Sequence, residues 1–197
     1  MLIVGTGGLG KEILGILIQD DLKDEIVFFD ESIHAPDLLF NKYRVFKDPE
    51  LLRKYFEEED TRFITGIGNP RIREKLTLML EKAGGKPMSV ISKRASIFHF
   101  NNKYEGIIIQ PGVGISHNVN IGKGAAIHIN TTIGHSTTIG KYVNLGPNVS
   151  VIGPVEIGDY SYISAQAIIL PNIKIGKNVI ITAGKLVDRD LKDFASY

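Results

Sequence analysis

Three histidines in the second half of the sequence, His117, His128 and His135, are the side chains best suited to move protons near neutral pH. The chain contains no cysteine, so a thiolate can serve neither as a nucleophile nor as a metal ligand. A neutral imidazole can act as a general base toward an amine or a hydroxyl. Imidazole is also a common zinc ligand, so the spacing of the three histidines bears on which chemistry is present.

A six-residue repeat runs from about residue 109 to residue 187 and sets where these histidines lie. Every sixth residue is aliphatic, in an unbroken series: Ile109, Ile115, Ile121, Ile127, Ile133, Ile139, Leu145, Val151, Ile157, Ile163, Ile169, Ile175, Ile181 and Val187. This period predicts a left-handed parallel β-helix in which three hexads make one triangular coil. A β-sandwich would instead show two-residue alternation with drifting spacing. Glycines often follow the aliphatic residue, and we attribute them to corners with positive φ.

The coils of such a β-helix stack about 4.8 Å apart, so residues eighteen apart lie nearly above one another. His99, His117, His135 and Gly153 then form one ladder. An imidazole beneath a glycine is open to approach from that side, and the Gly153 N–H could stabilise an oxyanion while His135 takes a proton. His117 either only stacks in this ladder or lies beside the site. His128 lies at another phase and is predicted to face away as an exposed turn residue.

The two ends of the repeat are expected to differ from its middle. The segment Val90 to Ile97 has the pattern of a first coil, and Phe98 to Gly106 breaks the register and is predicted to form an outward loop. The segment Leu186 to Tyr197 is charged, and we predict a short terminal helix that caps the last exposed strand edge.

The first half of the sequence alternates apolar and helix-like segments. This alternation predicts a small Rossmann-like domain with a parallel sheet over residues 1–88, followed by the β-helix domain over residues 89–197. The predicted strands are Leu2 to Val4, Ile26 to Phe29, Phe63 to Ile67 and Met88 to Ile91, and the predicted helices are Gly10 to Gln19, Pro49 to Glu58 and Pro70 to Lys82.

Two glycine-rich turns lie at the carboxyl ends of predicted strands, on one edge of the sheet. The turn from Gly5 to Lys11 matches G-x-G-x-x-G, and Asp30 ends the next strand, where an acid can bind ribose hydroxyls. The second turn runs from Gly66 to Pro70. We interpret this edge as a mononucleotide or nucleotide-sugar site, because the domain supplies only half of a dinucleotide fold. The alternative is that the glycines serve only a tight turn and Asp30 only ends a strand.

The overall composition argues against several classes of partner. A formal net charge of +1 over 197 residues gives no broad basic field for nucleic acid. The first apolar run, Met1 to Val4, leads directly into glycines, which is not the pattern of a signal peptide or of a membrane-spanning helix. Together with the lack of cysteine, this pattern predicts a soluble cytoplasmic protein without nucleic-acid or membrane partners.

The hexapeptide column, the glycine-rich domain before it and residues 133–140 (IGHSTTIG) together resemble the sugar O- and N-acyltransferase family, which includes the sialic acid O-acetyltransferases and the bacillosamine-pathway N-acetyltransferase. The turn at residues 68–73 (GNPRIR) adds to the resemblance, which covers nearly the whole chain. It implies a homotrimer that binds acetyl-CoA in the groove between neighbouring subunits. It also implies that the N-terminal domain holds a sugar or nucleotide-sugar acceptor.

The resemblance also implies roles for individual residues. His135 matches the general base of the family, and Gly153 matches the oxyanion donor. The residues implied to lie near the pantetheine or phosphates of acetyl-CoA are Gly146, Ala165, Ala183 and Lys185. The residues implied to meet the nucleotide or sugar are Gly7, Gly8, Lys11, Asp30, Gly68 and Asn69.

The chain departs from the family pattern at four places. Ser136 stands where an acid usually follows the catalytic histidine, and Asn144 replaces a second histidine near the acetyl group. Leu9 replaces a histidine of the first glycine loop, and the closing Gly-x-Pro-Ala segment does not follow Tyr197. These differences bear most directly on which acceptor the chain uses.

The favoured prediction is an acetyl-CoA-dependent acetyltransferase, without a metal, acting on an amino sugar, a nucleotide sugar or sialic acid for surface glycan synthesis. A metal enzyme of the gamma carbonic anhydrase type is an alternative, but spacings of eleven and seven between the histidines do not reproduce its close pair. Ser136 and the absent closing segment instead favour a non-catalytic trimeric scaffold that senses a nucleotide. A nicotinamide oxidoreductase would require NAD binding, which we do not expect.

Overall fold

The structure is a computed structural model that describes residues 1–22, 24–98 and 104–197. The chain divides into two compact units, Met1–Val90 and Ile91–Tyr197. The described residues include no helix that is both long and apolar enough to cross a membrane.

The first unit is a mixed, largely parallel sheet with helices between its strands. Its elements are β1 (Leu2–Val4), α1 (Gly8–Gln19), β2 (Val27–Phe29), β3 (Leu38–Leu39), β4 (Tyr43–Phe46), α2 (Glu50–Glu58), β5 (Arg62–Thr65), α3 (Pro70–Lys82) and β6 (Lys86–Pro87). The strand order is β3-β4-β2-β1-β5-β6, and among the described strands of this unit only β3 and β4 pair antiparallel. The predicted parallel sheet is therefore confirmed, with a short antiparallel edge that the apolar pattern did not indicate.

The core of this unit follows from the two-residue alternation of its strands. Leu2 and Val4 of β1 pack with Phe56 of α2 and Leu80 of α3 in one buried cluster. Ile3, which alternation directs to the opposite face, lies beside Gly10 of α1. The sheet is thus covered on both faces, as parallel sheets require.

The order of the strands reverses at β1, which lies between β2 and β5. In open α/β sheets this reversal opens a crevice outside the carboxyl ends of the strands, where ligands bind. The first glycine turn follows β1 and the second follows β5. Both predicted ligand turns therefore lie at the reversal point.

The second unit is a parallel β-helix of three sheets. The first sheet contains β7 (Val90–Ile91), β9 (Ile108–Ile109), β12 (Ala126–Ile127), β15 (Asn144–Leu145), β18 (Tyr162–Ile163) and β21 (Ile180–Ile181). The second sheet contains β8 (Ser96–Ile97), β10 (Gly114–Ile115), β13 (Thr132–Ile133), β16 (Ser150–Val151), β19 (Ile168–Ile169) and β22 (Leu186–Val187). The third sheet contains β11 (Asn120–Ile121), β14 (Thr138–Ile139), β17 (Glu156–Ile157) and β20 (Lys174–Ile175).

The register between coils is eighteen residues, as the hexads predict. Ile115 pairs with Ile133, and Ile133 pairs with Val151. The aliphatic series fills the axis: every member of it is buried except Ile121, which is partly buried. The left-handed hexapeptide β-helix predicted from this series is therefore confirmed.

The glycines that follow the aliphatic residues have a different cause from the predicted one. Positive φ is found two residues later, for example at Ser136 and Asn148, while Gly122, Gly140 and Gly158 do not have it. A Cβ at each of these glycines would instead lie 2.6 Å from the backbone of the next coil. Close stacking of the coils therefore requires these glycines, and the expectation of positive φ was wrong.

The structure also tests the predicted ends. Val90–Ile91 and Ser96–Ile97 are strands of a first coil, as expected, so the last strand of the first unit is Lys86–Pro87 and not Met88 to Ile91. Residues 99–103 of the predicted outward loop lie outside the described residues. The terminal helix was wrong: Leu191 bridges to Ile175 and Ser196 bridges to Ile180, so the chain adds one more coil.

Candidate active site

His117 and His135 lie at one corner of the β-helix, where strands of the second sheet end. Both side chains are exposed, and their rings stack with centroids 5.3 Å apart and planes 12° apart. The ring of Phe98 meets His117 edge-on at 6.1 Å. His99, the first member of the predicted ladder, lies outside the described residues. The eighteen-residue register alone explains the stack, because it places both histidines at the same point of consecutive coils.

A serine hydroxyl accompanies each ring. Ser136 Oγ lies 3.4 Å from His135 Nδ1, and Ser116 Oγ lies 3.3 Å from His117 Nδ1. Ser136 occupies the position where the family usually has an acid, so His135 has a neutral hydroxyl at Nδ1 in place of a carboxylate.

Gly153 stacks on His135, as the register predicts. A Cβ on Gly153 would overlap the carbonyl oxygen of His135 and would lie 2.8 Å from the carbonyl carbon of Gly134. Close backbone approach is therefore sufficient reason for a glycine at this position. No described residue accepts a hydrogen bond from the Gly153 N–H. The Gly153 nitrogen lies one coil above His135.

His128 is not the exposed turn residue that its phase suggested. It is partly buried, and its Nε2 lies 3.2 Å from Oδ1 of Asn144. Asn144 belongs to β15, and its side chain is 1% exposed. Asn144, which the resemblance places where the family has a second histidine, therefore contacts His128. His128 follows a strand of the first sheet, so it lies at a different corner from His135.

The residues expected to contact acetyl-CoA gather at this other corner. Gly146, Ala165 and Ala183 follow the first-sheet strands β15, β18 and β21, while Lys185 precedes β22. Gly146 stacks tightly under Ala165, since a Cβ there would lie 2.8 Å from the Ala165 nitrogen. Lys185 is exposed, with Nζ 5.6 Å from the Tyr197 ring centroid. Within one chain, the structure does not bring these four residues to the corner of His135.

The described residues contain no group of three histidine, aspartate or glutamate side chains placed to hold a metal ion. The stacked pair of His117 and His135 has serine hydroxyls, and no carboxylate, beside its Nδ1 atoms.

The glycines of the first turn divide into two groups. A Cβ on Gly10 would overlap the carbonyl oxygen of Gly5, so Gly10 is required by packing. Gly7 and Gly8 have open space where a Cβ would lie. Helix α1 begins at Gly8 without a side-chain cap and without an acid in its first turn, so its N-terminal amides are open to an anion. Lys11 follows, with Nζ 5.8 Å from the Phe40 ring centroid.

Asp30 holds this turn in place. Its Oδ2 accepts hydrogen bonds from the Thr6 backbone N–H at 2.8 Å and the Thr6 hydroxyl at 2.6 Å, and Oδ1 accepts from Ser32 N at 3.0 Å. Partial burial raises the pKa of this carboxyl, but the hydrogen bonds outweigh burial and hold the pKa below its ordinary value. Asp30 is thus more than the end of a strand, and Thr6 is a partner that the sequence did not reveal.

The second turn is held from both of its ends. Asn69 caps α3, since its Oδ1 accepts from Arg71 N at 3.0 Å and from Ile72 N at 3.2 Å. Arg73, which is 1% exposed, donates from Nη1 to the carbonyl oxygens of Ile67 and Gly68 at 2.7 and 3.0 Å. Gly68 has open space where a Cβ would lie. The sequence motif contained Arg73, but the pattern gave no sign that its side chain is buried.

A cleft of about 420 Å³ opens at this edge of the sheet. Its walls are apolar, formed in part by Phe29, Ile67 and Leu76, and Asp30 and Lys75 also line it. Open α/β sheets bind ligands in such a cleft at the reversal point of their strand order.

Both halves of the chain match known families. Residues 1–80 match the PglD N-terminal domain, and residues 136–169 and 154–189 match the bacterial transferase hexapeptide (six repeats). No curated protein sequence matches the chain significantly.

Solved structures match over almost the full length. Perosamine N-acetyltransferase from Caulobacter crescentus, a histidine-to-asparagine variant in complex with CoA and GDP-perosamine, is 26% identical with a TM-score of 0.90 over 99% of this chain and 91% of that one. The acetyltransferase domain of PglB from Neisseria gonorrhoeae is 22% identical, with a TM-score of 0.90 over 99% and 94%. WeeI from Acinetobacter baumannii is 24% identical, with a TM-score of 0.71 over 99% and 94%. The last two, at lower identity, support the fold alone.

The parallel β-helix, the hexapeptide match over residues 136–189 and the full-length likeness to an N-acetyltransferase show an acyltransferase. The match of residues 1–80 to the PglD N-terminal domain narrows the likeness to acyltransferases that act on sugars. The predicted resemblance to the sugar O- and N-acyltransferases is thereby confirmed.

Proposed function

We propose that the chain is an acetyl-CoA-dependent N-acetyltransferase whose acceptor is a nucleotide-linked amino sugar used in surface glycan synthesis. The observation that carries this proposal is the full-length likeness, at 26% identity, to an N-acetyltransferase in complex with CoA and GDP-perosamine. That likeness favours a nucleotide-linked acceptor over free sialic acid, and nitrogen over oxygen as the acylated atom.

His135 is the general base of the proposed reaction. As the acceptor nitrogen attacks the thioester carbonyl, the imidazole takes the proton that this nitrogen loses. The C–N bond forms, the C–S bond breaks, and the CoA thiolate leaves and receives the proton from the imidazolium. The Gly153 N–H stabilises the oxyanion of the tetrahedral intermediate. The reaction needs no covalent enzyme intermediate, and the chain has no cysteine to form one.

Acetyl-CoA is the co-substrate, and the corner of Gly146, Ala165 and Ala183 is the proposed wall of its pantetheine channel. Small residues keep this corner shallow, and the exposed ammonium of Lys185 suits a phosphate. Since these residues and His135 lie at different corners of the triangular β-helix, a complete site needs a second copy of the chain.

A homotrimer would supply that second copy. Large apolar side chains point outward from the last coils, on the two sheets that meet at the Ala165 corner. They are Tyr162, Ile168, Ile180 and Leu186, and they are 38–51% exposed. Side chains of this kind, gathered on neighbouring faces, are typical of a surface buried in an assembly. Light scattering on the purified protein measures the mass directly, and a monomer would contradict this part of the proposal.

The edge with the two glycine turns is the proposed acceptor site. Open amides at the start of α1 suit a phosphate, and the adjoining cleft suits the nucleoside. The proposed reaction takes place in the cytoplasm, in keeping with a chain that lacks cysteine.

The test is a transfer assay with a panel of acceptors. Purified protein is mixed with acetyl-CoA and with GDP-linked or UDP-linked amino sugars, matched non-amino sugars or free sialic acid. We expect CoA release only with the nucleotide-linked amino sugars, together with one added acetyl group by mass spectrometry. CoA release with sialic acid alone would contradict the proposed acceptor. Binding of nucleotide without any transfer would instead favour the scaffold function.

A further inference from the structure

A buried arginine lies beneath the second glycine turn. Arg73 is the fourth residue of α3, and its side chain is 1% exposed. Its guanidinium is always charged, and burial of such a charge is costly unless its donors are satisfied. Nη1 donates to the carbonyl oxygens of both Ile67 and Gly68, at 2.7 and 3.0 Å. The guanidinium therefore holds the turn by two of its carbonyl oxygens.

A chain of buried hydrogen bonds links this arginine to the sheet. The hydroxyl of Thr77 donates to the carbonyl oxygen of Arg73 at 2.8 Å. The same hydroxyl lies 3.1 Å from that of Thr65, the last residue of β5. Thr65 and Thr77 are 4% and 5% exposed. The end of β5, the turn and the first part of α3 are thus fixed as one piece.

At Ile67 and Gly68 of the turn, the backbone carbonyl oxygens and the backbone N–H groups differ in their hydrogen bonding. Arg73 takes the carbonyl oxygens of Ile67 and Gly68, while no described residue accepts a hydrogen bond from the N–H of either one. Ile67 also lines the cleft, and the space beside the Gly68 Cα is open. Two adjacent backbone N–H groups without an acceptor favour a bound anion.

We infer that Arg73 is a positioning residue for the acceptor: it holds the second glycine turn in the shape in which the N–H groups of Ile67 and Gly68 bind the phosphates of the nucleotide. Arg73 acts through the turn and does not touch the ligand. The inference rests on the proposed function for the identity of the acceptor, while the binding of a nucleotide phosphate can be measured without any transfer.

The experiment compares Arg73→Met and Arg73→Lys with a matched control, Arg71→Met. Arg71 lies in the same turn of α3, but its side chain is 55% exposed. Calorimetry gives the Kd for GDP and for UDP, and steady-state kinetics give kcat and the KM values for acceptor and for acetyl-CoA. Thermal unfolding of each variant reports whether the fold is kept.

We expect Arg73→Met to raise the nucleotide Kd and the acceptor KM about tenfold or more, the size expected when hydrogen bonds from a charged group are lost. The KM for acetyl-CoA and the kcat at saturating acceptor should stay near wild type. Arg73→Lys should recover part of the loss, because an ammonium keeps the charge but not the planar fork. Arg71→Met should bind as wild type does.

Several outcomes would overturn the inference. One is unchanged nucleotide binding in a folded Arg73→Met, or in Arg73→Lys where the methionine variant does not fold. Another is a fall in kcat, or a rise in the acetyl-CoA KM, that equals the change for the acceptor. A wild-type protein that binds neither GDP nor UDP would also refute it. Nucleotide binding that depends on Arg73 in a protein without transferase activity would refute the proposed function alone.

Discussion

The β-helix and the N-terminal unit build their candidate sites in opposite ways. In the β-helix the same position recurs every eighteen residues, so His117 and His135 stack because they occupy equal places in consecutive coils. In the N-terminal unit no position recurs, and each glycine turn is held by contacts made once, to Asp30 and to Arg73. A substitution in the β-helix is therefore understood from its place in the coil, and one in the N-terminal unit from its own partners.

The largest expected effect comes from His135, the proposed general base in the β-helix. His135→Ala should lower kcat by about 10²–10⁴-fold, the usual contribution of a general base. The side chain is exposed at a corner, so its removal leaves the aliphatic column intact. Nucleotide binding, which we assign to the other unit, should not change. Steady-state kinetics and calorimetry on the same preparation measure both quantities.

The matched control is His34→Ala, because His34 is also exposed but lies in the N-terminal unit. It should retain wild-type kcat. Near-normal turnover in His135→Ala would remove this histidine from the mechanism, whatever the control shows.

The next effect compares two neighbours on one strand of the repeat. Ile157 of β17 is 2% exposed in the axial column, and Glu156 is exposed beside Lys174, with 3.4 Å between carboxylate and ammonium. Ile157→Ala should lower the free energy of unfolding by about 2–5 kcal/mol, because it removes a buried side chain and leaves a cavity. Glu156→Ala should change it by less than about 0.5 kcal/mol, since exposed ion pairs contribute little. Urea unfolding of both variants under identical conditions tests the contrast, and equal losses would contradict it.

The repeat made the β-helix predictable down to its register, and the exceptions have local causes. The hexads give the buried face of each strand, but they do not show that the glycines avoid the backbone of the next coil. The last coil was missed because it is two residues shorter: Leu191 pairs with Ile175, sixteen residues earlier, so the six-residue count fails after Val187. Asp190 and Asp193 then accept hydrogen bonds from the backbone of Lys174 and Lys177.

A smaller effect is expected from the acid that holds the first glycine turn. Asp30→Asn keeps the shape of the side chain but removes its charge, and we expect a loss of about 1 kcal/mol at pH 7 from its weakened hydrogen bonds. The pKa of Asp30 is lower in the folded state than the unfolded value of about 3.9. Its contribution is therefore complete above pH 4 to 5 and is lost as the pH falls through the folded pKa.

Denaturant unfolding of wild type and Asp30→Asn at several pH values measures this difference, because the other carboxylates are common to both proteins. The gap between them should close below about pH 4, in the range set by the unfolded pKa. A gap that stays constant with pH would show that the charge of Asp30 does not hold Thr6.

The N-terminal site was only partly predictable. Strand ends, glycine turns and Asp30 are visible as local patterns, and they indicated the edge of the sheet at which the two turns lie together. The contacts of Asp30 to Thr6 and of Arg73 to Ile67 depend on side-chain direction and burial, which a single sequence does not encode in any short spacing. The sequence likewise did not show that Gly146 and Ala165 lie at a different corner of the β-helix from His135.

An effect of similar size separates capping from binding at Asn69, which the resemblance assigned to the acceptor. Its Oδ1 caps α3, so Asn69→Ala should lower the free energy of unfolding by about 1 kcal/mol, and Asn69→Ser should largely restore it. Both variants lose the side-chain amide. If Asn69 acts only as a cap, the acceptor KM of Asn69→Ser equals that of wild type. If the amide also binds the acceptor, the serine variant regains stability but keeps a raised acceptor KM. Unfolding and kinetics on the two variants thus decide whether this turn binds through side chains or through its backbone alone.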